Sequence, residues 1–189
     1  MANRKKVIFL DRDGVINKFP GKYKYITTWK LFKFIPGSIE AIKRLTHAGF
    51  ILFVISNQAG VTKRLYSKAT LNLISKKMLE RIKKAGGKIK KVLYCIHLDE
   101  DGCDCRKPKI GMIRRALVTL GSRVDRKNSY VIGDNSQHDI KMGKRAKFKT
   151  ILVLSGREKL ADAKVASQRP DYIFKNLLEA ANFILKANV

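Results

Sequence analysis

The run Val7-Ile8-Phe9-Leu10, followed at once by Asp11-Arg12-Asp13-Gly14-Val15-Ile16-Asn17, decides the reading of this chain. Four consecutive apolar residues bounded by a charged turn have the length and composition of a fully buried strand. On an extended strand residues i and i+2 face the same way, and the carboxyl ends of strands in an open parallel sheet form its usual ligand crevice. Asp11 and Asp13 are therefore expected as two carboxylates converging on that crevice, where repulsion calls for a divalent cation or a shared proton. Asp and Gly are also ordinary turn formers, so the pair by itself fits a plain turn as well.

Downstream, strand and helix signals alternate to the end of the chain. Residues 38–45 place apolar side chains at helical spacing and stop at Gly49, and residues 50–55 read as a buried strand. A helix over 67–85 puts Leu71, Ile74, Met78, Ile82 and Ala85 on one face with lysines opposite, and a strand over 88–94 follows. The pattern continues with a helix over 111–120, a strand over 130–132, a short helix over 139–146, a strand over 150–154, and a last strand and helix within 172–186. This alternation predicts an α/β fold: a single Rossmann-like, doubly wound, mostly parallel sheet with helices on both faces, in one domain spanning 1–189. Between Gly14 and Ile35, and between Gly60 and Lys90, no room remains for a large cap domain, so an open site is expected.

At 189 residues the chain can bury a core of its own, since folding at this size removes roughly 70% of the unfolded surface from water. Its longest apolar stretches are strand-sized, well short of the ~18 residues a membrane span needs. The opening Met1-Ala2-Asn3-Arg4-Lys5-Lys6 leads through only four apolar residues to Asp11, which does not read as a secretory signal, and a cytoplasmic location is the expectation. Lysine and arginine total 41 against 15 acids, a net charge of +26. Lysines outnumber arginines 28 to 13 and are spread along the whole sequence, the pattern of solvated faces. Nucleic-acid binding would be better supported by an arginine-rich tail or a basic stripe interleaved with aromatics; it stays open as an alternative, while the field itself would draw in any anionic substrate.

Three further segments fall at expected strand ends. Ser56-Asn57-Gln58-Ala59-Gly60 offers a hydroxyl and free backbone N–H groups suited to a phosphate. Arg106-Lys107-Pro108-Lys109 supplies cations, and Gly133-Asp134-Asn135-Ser136-Gln137-His138-Asp139 adds two acids. Singly these are a helix cap, a solvated charge run and a turn. Together and in this order, DRDGVIN at 11–17, Ser56, Lys107 and GDNSQHD at 133–139 resemble the four motifs of the haloacid dehalogenase superfamily, specifically its phosphatases, over nearly the whole chain.

The resemblance implies that Asp11 attacks the phosphorus of a bound monoester to form an aspartyl-phosphate, and that Asp13 protonates the departing alkoxide and then activates water. It implies Mg²⁺ held by Asp11, the backbone carbonyl of Asp13 and Asp134, an oxygen-only set. Ser56 and the Asn57 N–H would hold phosphoryl oxygens, Lys107 would neutralise charge building in the transition state, and Asp139 would orient Lys107 or a metal-bound water. Relatives specialised for dehalogenation lack an acid at the position of Asp13, so its presence implies transfer to water. His138 matches none of the motif's acids and receives no role, while His47 reads as a surface residue and Trp29 as a packing residue.

All three cysteines fall in residues 95–105, where Cys95, His97, Cys103 and Cys105 form C-x-H-x5-C-x-C. Four soft or borderline ligands close a tetrahedral zinc site with no open position, a structural Zn²⁺; the alternative is buried free thiols beside an exposed histidine. Zinc would staple a loop with little core of its own and fix Arg106 and Lys107 beside the phosphate. This loop joined to Arg106-Lys107-Pro108-Lys109 is similar to the branch holding histidinol-phosphate phosphatases and D-glycero-D-manno-heptose 1,7-bisphosphate phosphatases. The five-residue spacer and residues 128–134 resemble the first type, whereas residues 13–17, 34–37, 109–112 and 155–157 resemble the second. Residues 18–33 and 62–65 depart from both. The expected partner is a small phosphorylated metabolite, a bisphosphate suiting the basic surroundings. Its leaving group is expected to meet residues 17–30, the zinc loop and Arg106, on a monomer that touches no membrane.

Overall fold

Alternation along the strands sorts most apolar side chains into two large cores, one on each face of a single sheet, with a small third cluster of Ile140, Leu152 and Ala163. The computed structural model describes residues 4–121 and 123–187. Six strands, β1 (Val7–Leu10), β2 (Ile51–Asn57), β3 (Ile89–Cys95), β4 (Tyr130–Gly133), β5 (Lys149–Val153) and β6 (Tyr172–Phe174), lie in the order β3-β2-β1-β4-β5-β6. Every pairing is parallel, so the sheet expected to be mostly parallel is wholly so. Ile8 and Leu10 face one core with α1 (Ser38–His47), α2 (Lys68–Lys84) and α6 (Leu177–Lys186). Val7 and Phe9 face the other with α3 (Gly111–Val118) and α4 (Lys141–Arg145), where Phe9 packs on Phe53 and Phe148.

Strand order sets the position of the site. From β1 the chain steps outward through β2 and β3, then returns to the other side of β1 and steps outward again through β4, β5 and β6. The direction reverses between β1 and β4, and ligands in open α/β sheets bind outside the carboxyl ends of the strands at such a switch. Asp11 follows β1 and Asp134 follows β4, so the two acids straddle the switch point.

Three short elements escape sequence periodicity: 3-10 turns at Trp29–Leu31 and Arg126–Asn128, and α5 (Leu160–Val165), where Ala163 is buried. Residues 136–140 form a π-helical turn that leads into α4, capped by the Asn135 side chain accepting from the backbone N–H of His138. Trp29 packs against the core and stacks on Phe32, as a packing residue should. Between β1 and α1 there is loop and the 3-10 turn alone, and the segment between β2 and β3 holds α2, which packs on the sheet. No helix among the described residues is long and apolar enough to cross a membrane.

Candidate active site

The β1–β4 ladder runs one residue past β1: the backbone N–H of Asp11 donates to the Ile132 carbonyl at 2.9 Å, which fixes where its side chain emerges. Asp134 leaves the end of β4, and Asp139 rises from the π-helical turn behind it. All three are buried, and each offers a carboxylate oxygen within 4.8 Å of the others. Lys107 sits among them with Nζ 2.9 Å from Asp11 Oδ1 and 2.6 Å from Asp139 Oδ1.

Three buried carboxylates against one ammonium leave surplus negative charge. Burial pushes Asp11 up to about 6 in spite of Lys107, with Asp139 and Asp13 adding to the rise. Burial, then Asp11 and Asp139, push Asp134 well above the usual carboxylate range. Burial disfavours a charged Lys107, yet Asp11 and Asp139 more than compensate and hold its proton tightly. An all-oxygen donor set with excess negative charge fits a hard divalent cation such as Mg²⁺. Space at the cluster is tight: the Arg157 backbone N–H donates to Asp134 Oδ2 at 2.7 Å, and a methyl group on Gly14 or Gly156 would stand 2.0 or 2.1 Å from that oxygen. Gly14 also has φ of +84°, so this turn requires glycine on both counts.

Asp13 behaves differently from the expected convergent pair. Its carboxylate stands outside the trio and turns to Arg12, whose guanidinium is fully buried. Oδ2 accepts from Arg12 Nη2 at 2.9 Å and from Gln58 Nε2 at 2.9 Å, while Oδ1 accepts from Asn17 Nδ2 at 2.8 Å. Burial by itself would raise its pKa; the Arg12 charge and these hydrogen bonds hold it below the usual range. A buried arginine requires a counter-ion, and Asp13 is the acid placed to supply it.

Ser56 is buried beside this group, its Oγ accepting from Gln58 Nε2 at 3.2 Å. The Asn57 side chain brackets Lys107, accepting from its backbone N–H at 3.0 Å and donating to its carbonyl at 3.3 Å. Arg106 is tied to the 95–105 loop through Asp99 and the His97 carbonyl, and with Asp11, Asp13, Ser56, Asn57 and Lys107 it lines a cavity of about 330 Å³. The other wall is residues 19–21 and 23–25, with Lys63 beside Tyr25.

Sequence reasoning assigned no role to Gln58, Lys63, His138 or Arg157, which all touch this constellation or line its cavity. Gln58 was findable: it lies two residues from Ser56 at the end of β2, the spacing that first drew attention to Asp11 and Asp13. Burial pushes His138 down to about 4, helped by Lys107, Arg157 and Arg106 and opposed by Asp99. An unfolded chain protonates its histidine near 6.5 while the folded chain resists until about 4, so His138 drains stability as pH falls across that window. Replacing His138 by glutamine is expected to flatten the loss of stability between pH 6.5 and 4; an unchanged pH dependence in denaturant titrations would contradict this.

The four ligands of the 95–105 loop converge. Cys95 Sγ lies 3.6 Å from His97 Nδ1 and 3.6 Å from Cys103 Sγ, and Cys105 Sγ lies 3.3 Å from His97 Nδ1 and 3.5 Å from Cys103 Sγ. A tetrahedron built on metal–sulfur bonds of ~2.3 Å has edges of about 3.8 Å, close to this spacing, whereas a disulfide needs ~2.05 Å. The donor set fits zinc.

A family model described as HAD-hydrolase-like matches residues 104–180. The chain is 32% identical over 188 residues to the D-glycero-β-D-manno-heptose-1,7-bisphosphate 7-phosphatase of Neisseria meningitidis, covering 97% of this chain and 96% of that one. It is 34% identical over 184 residues to the D-glycero-α-D-manno-heptose-1,7-bisphosphate 7-phosphatase of Campylobacter jejuni, covering 97% and 98%. The crystal structure of the D,D-heptose 1,7-bisphosphate phosphatase of B. bronchiseptica, complexed with magnesium and phosphate, superposes with a TM-score of 0.85 at 32% identity over 96% of this chain and 99% of that one. Neither the histidinol-phosphate nor the nucleic-acid alternative draws support from these matches. With the acids at the switch point, the lysine between them and relatives of one kind along almost its whole length, the chain belongs to the haloacid dehalogenase-like phosphatases, in the family of the heptose-1,7-bisphosphate 7-phosphatases.

Proposed function

We propose that residues 1–189 act as one catalytic domain that removes the 7-phosphate of a D-glycero-D-manno-heptose 1,7-bisphosphate. The observation carrying this reading is the floor of the cavity, where Asp11, Lys107 and Ser56 lie together with Asp13 at its edge. An Asp11 carboxylate oxygen attacks phosphorus, the bond to the sugar oxygen breaks, and an aspartyl-phosphate forms. Asp13 gives its proton to the departing alkoxide, then takes one from the water that cleaves the acyl phosphate and frees Asp11. Arg12 keeps Asp13 ionised in the free protein; an incoming phosphate adds negative charge beside it, which favours the protonated form the first step requires. Ser56 Oγ–H and the Asn57 N–H donate to phosphoryl oxygens, Lys107 offsets the charge that builds on them, and Asp139 aims Lys107. Mg²⁺, held by Asp11, Asp134 and the Asp13 carbonyl, supplies the positive charge that lets an anionic nucleophile meet an anionic ester. Zinc on Cys95, His97, Cys103 and Cys105 has a structural part.

Lys24, Lys63, Arg106 and Arg157 ring the cavity, a rim that suits the second phosphate of a bisphosphate. Magnesium-dependent phosphate release from both heptose 1,7-bisphosphate anomers, histidinol phosphate and a 3′-phosphorylated oligonucleotide tests the reading. A dominant kcat/KM on a heptose bisphosphate supports it; preference for either of the others overturns it. The +26 charge should also show in rate. Raising salt from 50 to 500 mM is expected to lower kcat/KM about tenfold with kcat nearly constant, because steering acts on encounter alone. A flat salt profile would remove steering from the account.

A further inference from the structure

Gln58 joins the two halves of the site, and its orientation is forced. A side-chain amide presents one acceptor oxygen and one donor nitrogen, and which way round it sits is decided by its neighbours. Here Oε1 accepts from Arg12 Nη2 at 3.1 Å and from the Tyr66 hydroxyl at 2.6 Å. Arg12 and Asp13 decide the orientation, since a guanidinium has no acceptor and a carboxylate no donor; the Tyr66 hydroxyl, whose proton stays on because burial pushes the phenol above its ordinary range, then donates to the same oxygen as Arg12. The amide nitrogen is thereby turned to Asp13 Oδ2 at 2.9 Å and Ser56 Oγ at 3.2 Å. Occupying a lone pair of Ser56 leaves that hydroxyl's own proton for a ligand. Tyr66 is fixed in turn, since it precedes Ser67, the residue capping α2, and its ring rests where a Cβ on Gly60 would come within 2.3 Å.

We infer that Gln58, locked by Arg12 and Tyr66, is a positioning residue that aims the Asp13 carboxyl at the leaving oxygen and ties that aim to Ser56. The inference rests on Asp13 being the acid–base residue. Without the Tyr66 hydroxyl, Oε1 keeps the Arg12 donor but loses its second, and the amide is held less firmly in the orientation that presents its nitrogen to Asp13.

The test is leaving-group dependence. For kcat/KM, which reports the steps through departure of the leaving group, an alkyl phosphate such as heptose 1,7-bisphosphate needs a proton from Asp13, whereas 4-nitrophenyl phosphate has a leaving group that departs without one. General acid catalysis contributes about 10²–10⁴-fold, so misaiming the acid is expected to lower the alkyl-to-aryl ratio about tenfold in Tyr66→Phe and further in Gln58→Glu, which keeps the acceptor and loses the donor. A purely structural role lowers both esters alike and leaves the ratio unchanged, and that result overturns the proposal. Asp13→Asn is the reference: a selective loss of the alkyl ester there, with Tyr66→Phe following it, supports the inference. Equal loss of both esters in Asp13→Asn shows instead that the acid–base assignment is wrong, and the positioning role falls with it.

Discussion

Replacing Asp11 by asparagine is expected to lower kcat by a factor on the order of 10⁴ or more, because an amide cannot form the acyl phosphate and no other carboxylate can take the same line of attack. Asp134 and Asp139 are close, but Arg157 and Lys107 hold them in place, and Asp13 is turned to Arg12. The loss should be chemical and the protein should stay folded. In the metal-free protein Asp11 titrates at about 6 against an ordinary 3.8, so its contribution is favourable at low pH and fades as pH rises through that window. Asparagine cannot ionise, so the metal-free variant should lose less stability than the parent between pH 4 and 6. Single-turnover assays searching for phosphoprotein, with denaturant melts at both pH values, separate the two effects. Substantial turnover by cleanly purified Asp11→Asn protein would defeat the mechanism.

Much of the scaffold was legible because it depends on short-range pattern. Val7–Leu10, the stop at Gly49, and the 3.6-residue stripe of Leu71, Ile74, Met78 and Ile82 each declare an element locally, and alternation then leaves few topologies. The limits appear where local pattern ends. Asp11 and Asp13 were expected on one face by strand periodicity, but β1 stops at Leu10 and the backbone turns at Gly14, so the rule had lapsed before Asp13. Arg12 then decides the orientation of Asp13, and that a charged residue inside a turn would be fully buried is a tertiary fact. Tyr66 and Gln58 meet across the loop between β2 and α2, which has no period to read. His138 was passed over because it matched no expected acid, although burial and three nearby cations, not its own chemistry, set its charge state. α5 is six residues long, too short for a stripe to emerge.

Removing zinc is expected to produce the other large effect, and its size reports how Lys107 is held. Lys107 is clamped from two directions. On the sheet side, the Asn57 amide brackets its backbone N–H and carbonyl at 3.0 and 3.3 Å. On the loop side, Cys105 lies two residues away, buried with Cys95, and the four ligands draw residues 95–105 into one knot. Without a metal that knot presses three sulfurs and an imidazole together with no covalent bond among them, and burial pushes the Cys95 thiol up to about 12. Loss of the ion should therefore loosen the loop, release the Arg106 side chain that leans on Asp99 and the His97 carbonyl, and leave the Lys107 backbone to the Asn57 clamp, with its ammonium still drawn to Asp11 and Asp139. Outer-shell supports of this kind are worth about 10- to 100-fold, so the Cys105→Ser protein is expected to lose activity by roughly that factor and to melt several degrees lower. Asn57→Ala in the same background should act more than additively, since the two clamps share one residue. Elemental analysis should find one zinc per chain in protein purified without chelator. A zinc-free protein with full kcat would mean that Asn57 and the carboxylates of Asp11 and Asp139 position the lysine without the loop, which would then be free to vary with the leaving group it faces.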